Sequence, residues 1–327
     1  MRYSWIDFAK VMALFLVVMG HLTADATTWH TLIYNFHMPF FFFLSGLLHK
    51  EKSINSDVKR LLIPYLLLNV LMLIWESPWI CRQEHSFAAL GNLLLGIIYP
   101  VNTPISYPTW FLLSLFEIKL LVRLTRNKYE KFFMALGCVL FASFVITEDL
   151  KLPYFIIDSI KATPYYIIGI AFRPVLLSEH GSNRNVTVQQ NASMLRNVIG
   201  GGVACVTYIN LAAISSYTWK DVYLNPEQYF ISFCGITGAV MLLSGCPNKR
   251  ISLIEMISNG AIAIIGLHPL FIQYLRRGLL LLHFNFTIDN VWQWLLYSAI
   301  VFACCVVTIP IIDKTMPILI GKNKNKI

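Results

Sequence analysis

The sequence predicts an all-α integral membrane protein with about ten transmembrane helices and one short re-entrant or interfacial segment. Apolar residues make up 57% of the chain and charged residues 13%, whereas soluble domains average roughly 45–50% and 25%. Runs that are long enough to cross a bilayer recur along the whole sequence, so we predict a single membrane-embedded domain over residues 1–327. Orientation in the membrane explains the net charge of +9, and nucleic acid is not expected as a partner.

The predicted spans are apolar runs of sufficient length, at residues 6–23, 31–48, 61–79, 109–123, 132–147, 154–177, 197–214, 228–245, 254–275 and 291–312. One further run, Phe87 to Tyr99, is followed directly by Pro100. As a helix it is too short for a hydrocarbon core of about 30 Å, so we interpret it as the re-entrant or interfacial segment.

The distribution of basic residues predicts the orientation. With ten crossings and the N-terminus inside, 18 of the 26 Lys and Arg residues fall on the cytoplasmic side and six outside. Counting Phe87 to Tyr99 as a crossing would invert every later loop and move most of these charges outside. Because cytoplasmic loops are enriched in Lys and Arg, we predict a multi-pass membrane protein with both termini in the cytoplasm.

The first predicted hairpin carries four ionisable residues inside apolar runs, namely Asp7, Lys10, His21 and His37. The eleven helical steps from Lys10 to His21 end about 20° from three full turns and rise about 16 Å, so both side chains share one helix face. Asp7 precedes Lys10 by three residues, close enough to neutralise it. His37 is predicted at a similar depth to His21, the two imidazoles could line one cavity, and Pro39 is predicted to break the helix just below His37. Ionisable groups in a bilayer are costly and commonly functional.

Two alternatives account for the same residues without a site. Lys10 could lie at the membrane edge with its ammonium group in the interface, while a histidine near the other edge binds a backbone carbonyl. The N-terminal run could also be a signal peptide, with Arg2 before an apolar stretch and Ala24-Asp25-Ala26 as the cleavage site. Asp7 and Lys10 interrupt that apolar stretch, and many further spans follow it.

Four further residues are possible additional site members. Glu117 lies deep in the fourth predicted span, whereas Lys119 is close enough to its cytoplasmic end to snorkel. Trp110 opens that span, where tryptophan prefers the interface and can also stack on sugars. His268 precedes Pro269 in a late span and serves either a site or helix packing. Arg60 is a cytoplasmic anchor or a contact for donor phosphates.

The sequence carries none of the common motifs for binding a metal or a nucleotide cofactor. The seven cysteines form no CxxC or Cys/His spacing, so no metal site is predicted. The sequence contains no P-loop, no GxGxxG after a strand and no GxSxG. Within the later part of the chain, Asp158 and Lys161 are predicted to pair.

Several short motifs resemble the acyltransferase-3 family of membrane-bound acyltransferases, in particular the branch of fucose O-acetylases and related sugar O-acetyltransferases. The strongest are Lys10 with His21 in IDFAK and VVMGH, and FHMPFFFFLSG at residues 36–46. Weaker matches follow in the family's order: LLIPY at 61–65, TWFLLSLF at 109–116, PYYIIGIAF at 164–172 and SNGAIAIIGLHPLF at 258–271. The family often carries an RxxR motif where this chain has only Lys59 and Arg60.

This resemblance implies a membrane-bound O-acetyltransferase that uses acetyl-CoA as a co-substrate and binds no cofactor permanently. It implies an acceptor hydroxyl on a sugar of a bacterial surface polysaccharide or its lipid-linked precursor. His21 and His37 are the expected catalytic residues, because histidine can act as a base or hold the acyl group. Lys10, assisted by Asp7, is expected to hold the phosphate end of the donor.

A secondary transporter of a polysaccharide-related substrate is the alternative from another class. Asp7, Lys10, His21 and Glu117 would then relay protons or bind substrate near broken helices. This function accounts for the buried charges equally well, but it does not account for the motifs, and the two halves of the chain show no internal repeat. A purely structural partner of a polysaccharide assembly complex would leave those charges without a purpose.

Overall fold

The structure is a computed structural model that describes residues 2–23, 27–84, 87–98, 107–146, 154–178, 187–215, 226–245, 249–284, 286–288 and 290–322. Within these residues it contains helices and no strands. The first seven α-helices are α1 Ser4–Gly20, α2 Thr28–Tyr34, α3 His37–Leu47, α4 Ile54–Asp57, α5 Ile63–Glu84, α6 Phe87–Ile98 and α7 Trp110–Arg123. The others are α8 Lys128–Phe144, α9 Tyr154–Ser178, α10 Thr187–Ile214, α11 Pro226–Ser244, α12 Ser252–Asn259, α13 Ala261–Leu281 and α14 Val291–Thr315. A π-helical turn, Val58–Leu62, joins α4 to α5, and 3₁₀ turns lie at Tyr107–Thr109 and Pro317–Ile320.

The chain is an all-α membrane protein. Within the described residues, four helical stretches have the length and hydropathy of a span: Ile54–Pro78, Phe155–Leu177, Leu195–Ile214 and Val291–Thr315. The consecutive helices α12 and α13 make a fifth if they are one broken span. Each of the ten predicted runs coincides with a helix or with two consecutive helices, but several, such as the 17-residue α1 and α8, are shorter than those four stretches. The number of ten spans therefore stays a prediction.

The chain forms two compact units. Unit 1 comprises Met1–Lys50, Thr125–Glu148 and Ile160–Ser258, and unit 2 comprises Glu51–Leu124, Asp149–Ser159 and Asn259–Ile327. Unit 1 contains the hairpin with Asp7, Lys10, His21 and His37. Unit 2 contains Arg60, Trp110, Glu117 and His268.

The predicted second span of unit 1 is divided into α2 and α3 by a break at Asn35 and Phe36. Proline has no backbone N–H, so Pro39 cannot donate to the carbonyl of Asn35, four residues earlier, and such a proline fits only in the first turn of a helix. The hydroxyl of Ser232 on α11 donates to that carbonyl at 2.7 Å instead. The sequence predicted the break below His37, but the structure places it before His37, which is the first residue of α3.

Helices α3 and α9 of unit 1 touch through their backbones. A methyl group at Gly46 would collide with the carbonyl of Tyr166, and one at Gly169 would collide with the carbonyl of Phe43. Nearby, the imidazole Nδ1 of His49 bonds the hydroxyl of Tyr166 at 2.7 Å. These two glycines therefore allow the close approach that fixes α3 within unit 1.

The segment predicted to be re-entrant is α6 of unit 2, which packs against α5. The hydroxyl of Tyr65, near the start of α5, donates to the carbonyl of Ile97, near the end of α6, at 3.2 Å. One turn further along α5, the amide of Asn69 donates to the hydroxyl of Thr109 at 2.9 Å. Helix α6 therefore runs back along α5, so that its end and the start of α7 both lie beside the first turns of α5. Trp110, which follows Thr109 and opens α7, is 5% exposed.

Two lysines have surroundings that differ from the prediction. Lys119 was predicted to snorkel, but its ammonium group binds the buried carboxylate of Asp57 at 2.6 Å, and Arg123 binds the other oxygen of Asp57. Lys161 is one of the six basic residues that the charge count assigned to the outside; it lies within α9 and is 2% exposed. The ammonium group of Lys119 is therefore paired with a carboxylate from a distant segment instead of being exposed. An unpaired charge buried in the protein would be costly.

Candidate active site

Three imidazoles of unit 1 surround the ring of Tyr34. The ring of His30 stacks on Tyr34 with centroids 4.1 Å apart and planes inclined by 28°. His37 meets the same ring edge-on at 4.9 Å, and His21 approaches it edge-on at 6.3 Å. We call these four residues the Tyr34 cluster. It is formed by the end of α1, by α2 and by the first residue of α3.

His37 is held in one orientation within the Tyr34 cluster. It is 1% exposed, and its Nδ1 bonds the carbonyl of Ile33 at 2.6 Å. Since a carbonyl oxygen only accepts, Nδ1 carries the proton of this bond, and in the neutral ring the basic lone pair then belongs to Nε2. His37 therefore combines a fixed tautomer with direct contact to Tyr34.

His21 directly follows the last residue of α1, and its side chain is partly exposed. Its backbone N–H still donates to the carbonyl of Val17 at 3.2 Å, so the helical geometry extends to this residue. Lys10 lies on the same helix, eleven residues earlier, which corresponds to about 16 Å along the axis. Gly20 brings α1 close to α2, because a methyl group there would lie 3.2 Å from the ring of Tyr34.

Asp7 is engaged by residues that the sequence did not connect to it. Arg2 donates to both of its oxygens, at 2.7 Å from Nε and 3.1 Å from the terminal nitrogen, and Ser258 on α12 donates at 2.6 Å. The hydrogen bond to Asp7 raises the pKa of Arg2 above its ordinary value. Arg2 also reaches the backbone carbonyl of Glu255 at 3.3 Å. Asp7 thus joins the start of α1 to α12 and is held there by Arg2.

His30 is the member of the Tyr34 cluster that the sequence analysis missed. It lies four residues before Tyr34 and seven before His37, a spacing that places all three on one face of a helix. Thr27 caps α2 by accepting from the backbone N–H of His30 at 3.2 Å. This i, i+4, i+7 pattern could have indicated in the sequence that His30 belongs with Tyr34 and His37. The pattern applies only in part, because the helix is interrupted between α2 and α3.

The additional candidates of unit 2 are held by local or packing contacts. Ser159 donates to Glu117 at 2.6 Å, which links α7 to the first turns of α9. The Nδ1 of His268, which is fully buried, bonds the carbonyl of Ile264 at 2.8 Å on its own helix. Arg60 lies exposed in the π-helical turn, where its backbone packs against Gly321. The structure therefore brings His21 and His37 together, and it assigns Glu117 and His268 to contacts within unit 2.

The arrangement can perform acid–base chemistry through nitrogen. Among the described residues, no group of three His, Cys, Asp or Glu side chains is placed to hold a metal ion. The imidazoles of the Tyr34 cluster converge on an aromatic ring, with His21 at the partly exposed edge and His30 and His37 buried. A histidine at such an edge can accept a hydroxyl proton or hold an acyl group.

Comparison with known families agrees with this chemistry. The family model described as an acyltransferase domain matches residues 3–309, nearly the whole chain. The chain belongs to the acyltransferase-3 family. This membrane acyltransferase therefore carries the Tyr34 cluster and Lys10 at the start of its family domain. No curated protein and no solved structure matched it.

Proposed function

We propose that this acyltransferase transfers an acetyl group from acetyl-CoA to a sugar hydroxyl of a bacterial surface polysaccharide or of its lipid-linked precursor. The observation that carries the proposal is the position of His21 at the partly exposed edge of the Tyr34 cluster, at the end of the helix that also carries Lys10. The resemblance to fucose O-acetylases supports the acetyl group, the donor and the sugar acceptor.

His21 is the proposed catalytic residue at the reacting carbon. In direct transfer it accepts the hydroxyl proton while the new C–O bond forms and the C–S bond of the thioester breaks, and the proton then goes to the thiolate of CoA. In the covalent route its nitrogen first bonds to the acetyl carbon while the C–S bond breaks and CoA leaves as the thiolate. The hydroxyl oxygen then takes the acetyl group from that nitrogen, and the hydroxyl proton goes to the thiolate. Both routes need a neutral imidazole at the edge of the cluster.

His37 supports His21 in this proposal and does not itself react with the substrates. Its burial and its bond to the carbonyl of Ile33 favour a role in holding Tyr34, and through Tyr34 the approach of His21. Lys10, about 16 Å along α1, is suited to the phosphate end of CoA, whose pantetheine arm would extend toward His21. Asp7 contributes indirectly, since its bonds to Arg2 and Ser258 support the helix that carries Lys10.

The proposed setting is a bacterial inner membrane with the donor supplied from the cytoplasm. The excess of Lys and Arg in the predicted cytoplasmic loops supports this orientation, with both termini inside.

The test measures transfer of label from acetyl-CoA to polysaccharide in isolated membranes without an electrochemical gradient. Wild-type protein should form a labelled ester, and His21→Ala should abolish it at an unchanged protein level. His21→Gln should be nearly as inactive, because an amide cannot take the hydroxyl proton at neutral pH. A transporter would give no covalent product. Full activity of His21→Ala would overturn the assigned role of His21.

A further inference from the structure

An arginine of α9 contacts the chain just beyond the end of α3 in unit 1. The guanidinium of Arg173 donates to the backbone carbonyl of His49, two residues after the end of α3. The ring of His49 is itself bonded to the hydroxyl of Tyr166 at 2.7 Å, so this carbonyl is held in place. Within the described part of the chain, no carboxylate forms an ion pair with Arg173, whose side chain is partly exposed. Arg173 therefore presents an oriented positive charge that an anion can reach.

Helices α3 and α9 run in the same direction through unit 1. Their backbones cross at Gly46 and Gly169, and the next contact lies three residues later on α3, at His49, and four residues later on α9, at Arg173. Both helices run away from the Tyr34 cluster, because α3 begins at this cluster. Helix α1 ends beside the cluster and so runs toward it. Helix α1 is therefore antiparallel to α3 and α9.

Lys10 and Arg173 lie at similar levels along these helices. The hydroxyl of Tyr3 donates to the carbonyl of Leu177 at 2.7 Å, which brings the start of α1 to the end of α9. From this contact, Lys10 is about 10 Å along α1 and Arg173 is about 6 Å back along α9, so their levels differ by about 4 Å. The seven steps from Tyr3 to Lys10 end about 20° from two full turns. Lys10 therefore lies on the face of α1 that meets α9.

The separation of this level from His21 corresponds to the length of one arm of coenzyme A. Lys10 is about 16 Å from His21 along α1. The pantetheine arm joins the thiol sulfur to the first phosphorus through about thirteen bonds, which extend over about 15 Å at the reach of an extended backbone. A thioester at His21 would therefore bring the diphosphate of coenzyme A to the level of Lys10 and Arg173.

We propose that Lys10 and Arg173 together bind the diphosphate of coenzyme A. This assignment rests on the proposed function, which supplies the donor and the position of its thioester. An ammonium group and a guanidinium suit the charges and the acceptor oxygens of a diphosphate. The carbonyl of His49 accepts from one guanidinium nitrogen, and the other N–H groups of Arg173 can donate to phosphate oxygens. Unlike Arg60 of unit 2, Arg173 belongs to the same unit as His21.

Donor binding is tested without catalysis, by calorimetric titration of the full-length protein in nanodiscs of zwitterionic lipid. The ligands are CoA and dephospho-CoA, which keeps the diphosphate but lacks the 3′-phosphate. Arg173→Gln should weaken both ligands equally, about tenfold, the usual effect of losing one charge-assisted hydrogen bond. Arg173→Lys should lose less affinity, because it keeps the charge. Arg196→Gln, on an exposed arginine of α10 in the same unit, is the matched control and should bind as the wild type does.

The joint action of the two cations is tested with Lys10→Gln and with the double variant Lys10→Gln and Arg173→Gln. Side chains that hold one group are not independent, so the loss of CoA affinity in the double variant should differ at least about threefold from the product of the single losses. Additive losses would place the two side chains on different parts of the donor and would overturn the joint site. Thermal unfolding of each variant confirms that the protein is folded.

Transfer from labelled acetyl-CoA distinguishes this proposal from the proposed function. Equal CoA affinity of the wild type and Arg173→Gln, or a loss that disappears with dephospho-CoA, overturns the diphosphate site and leaves the acetyltransferase function standing. A weakened affinity in Arg173→Gln, without any transfer by the wild type, supports the site and overturns the function. Absence of saturable CoA binding to the wild type overturns the site.

Nanodiscs of anionic lipid identify the other source of phosphate, a lipid headgroup. If Arg173 holds a headgroup, anionic lipid should raise the unfolding temperature of the wild type but not that of Arg173→Gln, and the two proteins should bind CoA equally. That result overturns the diphosphate site. The proposal instead expects the same tenfold difference in CoA affinity in both lipids.

Discussion

The imidazole of His30 stacks on the phenol ring of Tyr34 with centroids 4.1 Å apart, and this contact orders the aromatic residue around which the other two histidines lie. Tyr34 is 4% exposed and His30 is equally buried. Stacked rings contribute about 0.5–1.5 kcal/mol beyond their burial, enough to fix one rotamer of Tyr34. We therefore expect His30 to act on the proposed site through Tyr34, as a positioning residue.

Replacing His30 should separate positioning from catalysis. His30→Ala removes the stacking and should lower kcat about tenfold at an unchanged donor KM, because that energy is equivalent to about one order of magnitude in rate. His30→Phe restores a ring against Tyr34 and should recover most of the activity. His283→Asn, in the exposed turn after α13, is the control and should be fully active. A His30→Phe variant as slow as His30→Ala would assign His30 a chemical role instead.

His37→Gln should be milder than His21→Gln. The amide of glutamine can still donate to the carbonyl of Ile33, so Tyr34 keeps a partner at this position. We expect a loss of about tenfold in kcat, against near-complete loss at His21. Initial rates at saturating acetyl-CoA check this. Equal inactivity of the two variants would show that His37 also takes part in proton transfer.

Lys10 is expected to contribute mainly to donor affinity. Lys10→Ala should raise the KM for acetyl-CoA about tenfold with little change in kcat, since a contact to a phosphate is lost far from the reacting carbon. Lys10→Arg should retain part of the affinity, because it keeps the charge. Lys249→Ala, an exposed residue, serves as the control. Unchanged donor saturation in Lys10→Ala would remove Lys10 from the donor site.

The Asp57 ion pairs are predicted to stabilise unit 2. Asp57→Asn leaves Lys119 and Arg123, whose side chains are 15% and 23% exposed, without their anion. Breaking a largely buried pair costs about 3 kcal/mol, so thermal unfolding in detergent should begin at a clearly lower temperature. Asp313→Asn removes the exposed pair with Lys322 and should change stability by about 0–1 kcal/mol. Equal melting of the two variants would contradict a structural role for Asp57.

The backbone contact of α3 with α9 gives a second prediction on stability. Gly46→Ala places a methyl group against the carbonyl of Tyr166 and should destabilise the protein by about 3 kcal/mol or prevent its accumulation. Gly137→Ala, on α8, meets no atom within 4 Å and should be neutral or stabilise by about 0.5–1 kcal/mol. Thermal unfolding followed by size-exclusion recovery checks both. A Gly46→Ala protein as stable as the wild type would show that the helices can separate without cost.

The ten-span topology is tested by cysteine labelling in intact cells. A cysteine at Lys131 should resist a membrane-impermeant maleimide added from outside, because the charge distribution predicts a cytoplasmic loop there. A cysteine at His283, in the predicted external loop before α14, should be labelled. Labelling at Lys131 from outside would contradict ten spans and would require α6 to cross the membrane.

The sequence predicted where the helices lie better than it predicted which residues of different helices contact one another. Its apolar runs coincide with helices because a segment in a bilayer must form its backbone hydrogen bonds within itself. The length and hydropathy of a local run are therefore enough to predict a helix. The sequence did not predict the ion pairs of Asp57 with Lys119 and Arg123, because these residues are 62 and 66 positions apart. The bond from Ser232 to Asn35 joins residues 197 positions apart. Local patterns do not encode which distant segment fills such a contact.

At the candidate site, the sequence by itself determined the face that Lys10 shares with His21, because the rise and turn of one helix fix both positions. It also determined that Pro39 interrupts a helix near His37, since proline lacks an N–H. Only the tertiary structure decided what lies beside these groups. The convergence of His21, His30 and His37 on Tyr34 depends on how α1, α2 and α3 pack, and the engagement of Asp7 by Ser258 depends on α12. Packing between segments is set by shape and by long-range polar contacts, which a local pattern of residues does not contain.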